Sequence, residues 1–365
     1  MNNDEYKDDI SIEFPMPSEE TKLKQIWEEV DVTIYQVIFV VSSVILDLLE
    51  IKITLHRLNP PRLLISQSFQ YFSMIIASYW KKFVKSYRIE TFRDKEEDQS
   101  EDLSPLSALT LTLLDISCDA STKIALLLSP REKIESFFGF LPLLQTVISY
   151  FILPQQINIL SFISVSVQTI GYILVTSNVV GRASEPTPGT QYEVLGIPAG
   201  TAGYIFAALS LFLRCLNLTM TQLLSASVHL SATSFCQATG VWGLIITSVY
   251  HFIILQSQKE KIVFLSPSNQ IYTTMGFFVA ISAFNHYAGF WLILHTSAVE
   301  YSRVVMCSNL MMFYVRHEVF REEGATFGYA TVPLSGIIIT VIGFALFCVV
   351  PPSVSDRELL TQQIL

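Results

Sequence analysis

Residues 129–175, SPREKIESFFGFLPLLQTVISYFILPQQINILSFISVSVQTIGYILV, contain two apolar segments joined by a short polar break. Each segment is close to the roughly 20 residues that an α-helix needs to cross the hydrocarbon of a bilayer. A second pair of segments lies in residues 295–347, HTSAVEYSRVVMCSNLMMFYVRHEVFREEGATFGYATVPLSGIIITVIGFALF. Arg131 and Arg303 stand at equivalent positions of the two stretches, and we call the difference between their residue numbers the repeat offset. The pair of stretches therefore predicts a repeat of spacing rather than of letters.

The repeat offset also relates the two halves of the whole chain. Ten apolar segments are found at about 34–55, 63–80, 104–128, 134–153, 157–177, 197–223, 226–255, 271–295, 299–320 and 325–350. Because five is odd, a second set of five helices enters the bilayer from the opposite side, as in many secondary transporters. The sequence thus predicts an all-α membrane protein with ten transmembrane helices in two inverted five-helix repeats.

Composition supports a polytopic membrane protein. Apolar residues make up 51% of the 365 residues, charged residues only 15%, and mean hydropathy is +0.45. Soluble proteins carry roughly 25% charged residues, so this chain has too few charges to cover two soluble domains. The net charge of −9 comes mostly from the N-terminal residues, and this acidic balance gives no reason to expect nucleic-acid binding.

Polar stretches divide the chain into five predicted parts. These are an acidic disordered tail (1–33), the first repeat (34–177), a linker (178–196), the second repeat (197–350) and a C-terminal tail (351–365). Basic residues divide evenly between the two sides of the predicted membrane, so the positive-inside rule does not decide orientation. The dense basic cluster in residues 81–103 favours both termini in the cytoplasm.

Several residues in these stretches resemble the drug/metabolite transporter superfamily, and within it the solute carrier family 35-like members that include nucleotide-sugar transporters. Pro142 matches a mid-helix proline of that family, and Gly171, Gly336 and Gly343 match its helix-packing glycines. Glu322 or the next residue fits the acid that often closes the ninth helix. The resemblance implies ten helices, an alternating-access cycle and a central cavity lined by helices one to four and six to nine.

The third segment carries three ionisable residues, Asp115, Asp119 and Lys123. Their spacing of four places all three on one helix face. Charges inside a bilayer are costly, so they usually face a cavity or a partner. One interpretation is a polar stripe lining a transport cavity, with Asp115 available for proton coupling. The other is a mutually neutralising ion pair at a helix interface.

Three arginines are candidates for binding an anionic substrate. Arg131 and Arg303 could clamp a carboxylate or phosphate, because a guanidinium recognises such planar groups through two hydrogen bonds. They could instead lie at the membrane interface and pair with local acids such as Glu300. Arg214 lies well inside the sixth segment, where it is expected to face the bundle and bind substrate or pair with Asp47.

The eighth segment contributes four further candidates, Asn285, His286, Tyr287 and His295. His295 is the counterpart of Lys123 under the repeat offset and could be a proton relay, although a hydrogen-bonded structural histidine is the alternative. No zinc-ligand spacing accompanies these histidines. The five cysteines fall within predicted helices without paired spacing, so neither a disulfide framework nor a metal site is expected.

The function predicted from sequence is secondary transport of a small polar solute that is anionic, zwitterionic or nucleotide/sugar-like. We expect no enzyme activity, cofactor or metal. Expected partners are membrane lipid and the small-molecule substrate, and a homodimer is left open. One rival hypothesis is a polytopic receptor or channel, whose two halves would not be related by an inverted repeat. The other is a non-transporting accessory protein, in which the buried charges would pair with one another. The sequence does not distinguish an endomembrane (Golgi, endosome or lysosome) from the plasma membrane.

Overall fold

The computed structural model is almost entirely helical in the part of the chain that it describes. The described residues are 19–55, 65–85, 103–129, 131–153, 159–180, 193–194, 196–227, 230–257, 269–319 and 332–349. The predicted C-terminal tail, most of the predicted linker and Glu322 lie outside these residues. Within the predicted linker, residues 178–180 are helical and Glu193–Val194 form β1, which makes a two-stranded hairpin with β2 (Ile197–Pro198) just beyond the linker. Gly196 turns this hairpin with a φ of 75°, which glycine adopts without strain.

Each predicted apolar segment coincides with helical structure. In the first half the helices are α1 (Glu19–Leu55), α2 (Ile65–Lys85), α3 (Pro105–Leu128), α4 (Arg131–Phe137), α5 (Leu141–Ile152) and α6 (Ile159–Val180). In the second half they are α7 (Ala199–Ser227), α8 (Ala232–Ser257), α9 (Asn269–His295), α10 (Ala298–Val319) and α11 (Val332–Val349). Helix α1 begins at Glu19, earlier than expected, because the residues before 34 are largely good helix formers such as Glu, Lys and Gln.

The predicted fourth segment is broken rather than continuous. A 3-10 turn at Phe138–Phe140 separates α4 from α5. Pro142 lies in the first turn of α5, where its missing N–H costs nothing. Gly139 lies against the ring of Tyr172 on α6, so a larger residue there would collide with that ring. The proline anticipated inside a helix therefore starts a new one.

Five spans in the described residues are long and apolar enough to cross a membrane. They are Val30–Glu50, Ile134–Ile152, Ile159–Thr176, Ala199–Ser225 and Thr273–His295. The distribution of side chains agrees with a membrane location. Gln145 and Gln168 are fully buried, whereas Phe151 and Ile159 are 79% and 77% exposed. Large apolar patches facing outwards mark surfaces that contact something other than water. The structure is therefore compatible with an integral membrane protein.

Helix packing follows a regular pattern between the two halves. Helix α6 packs along α11, α2 along α8, and α5 against α10. Helix α3 packs along α7 and α1 along α9, while α2 also contacts α9 and α3 also contacts α8. If every helix is replaced by its counterpart in the other half, this list of contacting helix pairs stays the same.

The contact between α6 and α11 repeats this relation at the level of residues. A Cβ atom added to Gly171 would lie 2.5 Å from the backbone N of Thr340. A Cβ atom added to Gly343 would lie 2.7 Å from the backbone N of Gln168. The residue numbers of the two glycines differ by the repeat offset, and those of Gln168 and Thr340 differ by the same amount. Two equivalent glycines thus let the backbones of the two helices approach closely.

Candidate solute-binding site

The predicted stripe of charge on α3 is brought against α2. The Tyr71 hydroxyl donates a 2.7 Å hydrogen bond to Oδ2 of Asp115, and Nζ of Lys123 donates a 3.0 Å hydrogen bond to Oγ of Ser66. Asp115, Asp119 and Lys123 are all half-buried, although helices surround α3. Their partial exposure indicates that side chains do not fill the space in front of this face.

Two residues of α2 belong to this cluster and were not identified from sequence. Tyr71 is 1% exposed and Gln67, one turn before it, is also 1% exposed. The Gln67 amide donates a 3.3 Å hydrogen bond from Nε2 to the Tyr71 hydroxyl. Its Oε1 atom is buried and has no hydrogen-bond partner among the described residues. Their spacing of four on a predicted helix was a usable signal, but neither residue is charged.

Arg214 on α7 completes the cluster from the other side. Its guanidinium interacts electrostatically with Asp115, Asp119 and the hydroxyl-bearing ring of Tyr301. The side chain is half-buried, and within the described part of the chain it donates no hydrogen bond. A guanidinium with five unused N–H groups at such a depth requires water or an anionic ligand.

Small residues bring α7 close enough for Arg214 to reach the α3 face. Gly203 lies against the Ser129 side chain, and Ser129 Oγ donates a 2.9 Å hydrogen bond to the Gly200 carbonyl. Further along, the hydroxyls of Thr122 and Ser210 are 2.5 Å apart. These contacts fix the position of α3 relative to α7, and hence of the carboxylates relative to the guanidinium.

Arg303 lies in a different environment from Arg214. It is 2% exposed, and its Nε donates a 2.9 Å hydrogen bond to Oε1 of Gln168 on α6. The guanidinium also lies 4.8 Å from the centre of the Phe344 ring on α11. Protein groups at this helix interface therefore hold Arg303. Arg131 begins α4, but its side chain is outside the described ones, so the clamp predicted from the two arginines stays a prediction.

The candidates on α9 divide into a polar anchor and a buried ring. The Asn285 amide nitrogen donates to the Phe39 carbonyl at 3.1 Å, to Ser42 Oγ at 2.9 Å and to Ser43 Oγ at 2.6 Å. These bonds join α9 to α1 and occupy the donors of the amide. His286 has a buried Nε2 atom that lacks a hydrogen-bond partner among the described residues.

The other two candidates of α9 belong to an aromatic stack. Trp291 stacks on Tyr35 of α1 at 4.0 Å and on His295 at 4.1 Å, measured between ring centroids. Tyr287 lies 6.2 Å from the same tyrosine in a tilted arrangement. Nδ1 of His295 is 2.8 Å from the Trp291 carbonyl, so this nitrogen carries the proton. His295 is thus held by its neighbours in this stack.

No group of three or more His, Cys, Asp or Glu side chains suited to a metal ion occurs within the described ranges. Gln67 and Tyr71 of α2, Asp115 and Asp119 of α3 and Arg214 of α7 form one set of interacting polar groups. We call this set the central polar cluster. Its composition suits the binding of a small polar molecule through hydrogen bonds and charge.

Comparison with known proteins identifies a fold but no family. No protein-family model matches the chain, and no curated protein matches it either. One solved crystal structure of a protein is similar over 87% of this chain and 99% of the other, with a TM-score of 0.56 and 12% sequence identity. Similarity at this identity shows that the fold is shared and carries no information about the activity.

Proposed function

We propose that this protein is a secondary transporter that moves a small polar solute across a membrane by alternating access. In this proposal ten helices span the membrane as two inverted five-helix repeats, as the resemblance to drug/metabolite transporters implies. The solute binds at the central polar cluster, between helices of both repeats. The two states of the carrier then expose the cluster to opposite sides of the bilayer in turn.

The exchange pattern of helix neighbours supports the inverted repeat. Neighbours that map onto themselves are expected when two like halves are related by a two-fold axis. The ring of Tyr71 on α2 packs over Gly243 on α8, and these two residues are themselves counterparts under the repeat offset. Two equivalent positions that touch each other are expected at such an axis. The axis would therefore pass beside the central polar cluster.

The observation that carries the proposal is the unsatisfied state of the central polar cluster. A non-transporting accessory protein would hold its buried charges in closed pairs, as Arg303 is held. Arg214 and Asp119 instead make no hydrogen bond to a described residue and stay half-buried. Groups that are costly to bury and keep unused hydrogen-bonding capacity are typical of a ligand or ion pathway.

Uptake into proteoliposomes tests the proposal. Purified protein would be assayed against a panel of sugar phosphates, nucleotide sugars, carboxylates and amino acids, with and without a pH gradient. We expect saturable uptake of one solute class. The matched control for cluster variants is Thr110→Val, because Thr110 is exposed on the same helix and bonds only its own backbone. The absence of uptake across the panel by well-folded protein would contradict the proposal.

Topology mapping separates a carrier of this kind from a receptor or channel. Ten spans place both chain ends on the same side of the membrane. Labelling tags at the N-terminus and the C-terminus from one side should therefore reach both or neither. Ends on opposite sides would exclude the inverted ten-helix arrangement.

A further inference from the structure

The central polar cluster combines charges of both signs. Asp115 and Asp119 supply two carboxylates, and Arg214 supplies one cation. The carboxylates lie on α3 and the guanidinium on α7, so the opposite charges come from different helices. A site that presents carboxylates on one helix and a guanidinium on another complements a solute that is itself dipolar.

Asp115 and the two α2 residues form one end of this space, and this end accepts hydrogen bonds. Asp115 uses one carboxylate oxygen for the Tyr71 hydroxyl at 2.7 Å. The Gln67 amide next to the same hydroxyl has a buried Oε1 atom without a partner among the described residues. A buried acceptor left unsatisfied costs stability unless a ligand supplies a donor. An ammonium group carries three N–H donors and a positive charge, which these oxygens match.

Arg214 forms the other end, and this end donates hydrogen bonds. Its guanidinium is held in electrostatic contact with Asp119 and the Tyr301 hydroxyl but donates to neither within the described part of the chain. A guanidinium fork binds a carboxylate with two parallel hydrogen bonds. Arg303 shows the contrasting case, since its Nε already bonds Gln168.

We propose that the central polar cluster binds a zwitterion that carries a primary ammonium and a carboxylate, as an amino acid does. The ammonium binds Asp115 and Oε1 of Gln67, and the carboxylate binds Arg214. A lone sodium ion would use the same oxygens but would leave Arg214 without an anion. This assignment rests on the proposed transport function and specifies its solute class.

Chemical analogues test the assignment on the unaltered protein. The full chain in lipid nanodiscs would be heated with each of the twenty standard amino acids, and the melting temperature recorded. For the most stabilising amino acid, two analogues would follow: its desamino acid, which lacks the ammonium, and its carboxamide, which lacks the negative charge. We expect both analogues to bind at least about tenfold more weakly, because each loses a charge-assisted contact.

Two variants assign each end of the ligand to its partner. With Asp115→Asn, the amino acid and its desamino analogue should bind with similar affinity. With Arg214→Gln, the amino acid and its carboxamide should bind with similar affinity. Thr110→Val is the matched control, since it removes an exposed hydroxyl from the same helix as Asp115 and should keep the full discrimination of the unaltered protein. If a cluster variant fails to fold, the analogue comparison on the unaltered protein still decides.

The outcomes separate this inference from the transport proposal. Stabilisation by sodium chloride but not by choline chloride, with no response to amino acids, would overturn the zwitterion assignment in favour of a cation site. Uptake of another metabolite class without amino-acid binding would also overturn it and leave the transport proposal intact. Discrimination that persists unchanged in both cluster variants would place the amino acid elsewhere and sink the assignment.

Discussion

Helices α3 and α9 hold equivalent positions in the two halves and present opposite chemistry. Under the repeat offset, Asp115, Asp119 and Lys123 on α3 correspond to Tyr287, Trp291 and His295 on α9. The α3 face is charged and half-buried, whereas Trp291 is 3% exposed within an aromatic stack. The corresponding faces thus carry an aromatic stack in one half and charged groups in the other.

The residues that cover the two faces also differ. Tyr35 of α1 stacks on Trp291. Its counterpart on α7 under the repeat offset is Ala207, which packs in an apolar cluster with Ala125 and Ile134. Corresponding positions thus contribute to an aromatic stack in one half and to an aliphatic contact in the other.

The largest expected effect is on stability, at the aromatic face. Trp291→Ala should lower the free energy of unfolding by about 3–5 kcal/mol, because it removes a buried ring stacked on two others. The equivalent change in the other half, Asp119→Asn, should alter the melting temperature little. Both are measured by the monodisperse fraction after heating. Equal losses for the two variants would remove the contrast between the faces.

The next effect concerns uptake at the polar face. Arg214→Gln should reduce solute uptake about 100-fold, since two charge-assisted hydrogen bonds to the substrate are lost. The melting temperature should also fall, because the variant leaves Asp115 and Asp119 without their neighbouring guanidinium. The initial rate in proteoliposomes measures this, with Thr110→Val as the control. Unchanged uptake kinetics would show that the solute does not bind at Arg214.

If the two halves are symmetric, the equivalent glycines of α6 and α11 should lose similar stability on substitution. Gly171→Ala and Gly343→Ala should each cost about 1–3 kcal/mol, because the added Cβ collides with the backbone of the opposite helix. Gly276→Ala is the control, since nothing lies within 4 Å of a Cβ added there. Melting temperatures of the three variants decide. A large loss for one glycine only would argue against equivalent packing of α6 and α11.

The smallest effect is expected from one hydroxyl of the polar cluster. Tyr71→Phe removes the hydrogen bond to Asp115 while keeping the ring over Gly243. Since one such bond contributes about 1 kcal/mol, solute affinity should change about fivefold and stability little. The half-saturation concentration for uptake reports this change. A complete loss of transport would instead indicate that the hydroxyl itself contacts the solute.

Much of the helical organisation was predictable because it depends on local composition. Apolar length and flanking polar residues located helical structure in each predicted segment. The early start of α1 and the break before Pro142 were missed. Helix ends depend on propensity and on contacts such as that of Gly139 with Tyr172, which hydropathy does not record.

The candidate site was predictable only in part, for a related reason. Sequence reasoning selects charged residues in apolar segments, so it found Asp115, Asp119, Lys123 and Arg214. It missed Gln67 and Tyr71 on α2, which are uncharged. These two residues matter because the buried Gln67 amide lies beside the Tyr71 hydroxyl. The spacing of four places the two side chains on one helix face, but it does not show which other helix they meet.

The sequence by itself determined that the chain is helical, apolar and duplicated in spacing, because helix length and hydropathy are properties of neighbouring residues. Only the tertiary structure decided which buried arginine is satisfied. Arg303 bonds Gln168 and lies over Phe344, whereas Arg214 faces two carboxylates without a hydrogen bond to the described chain. The reason is physical: the cost of a buried charge depends on the groups that surround it in space, and these come from distant parts of the chain.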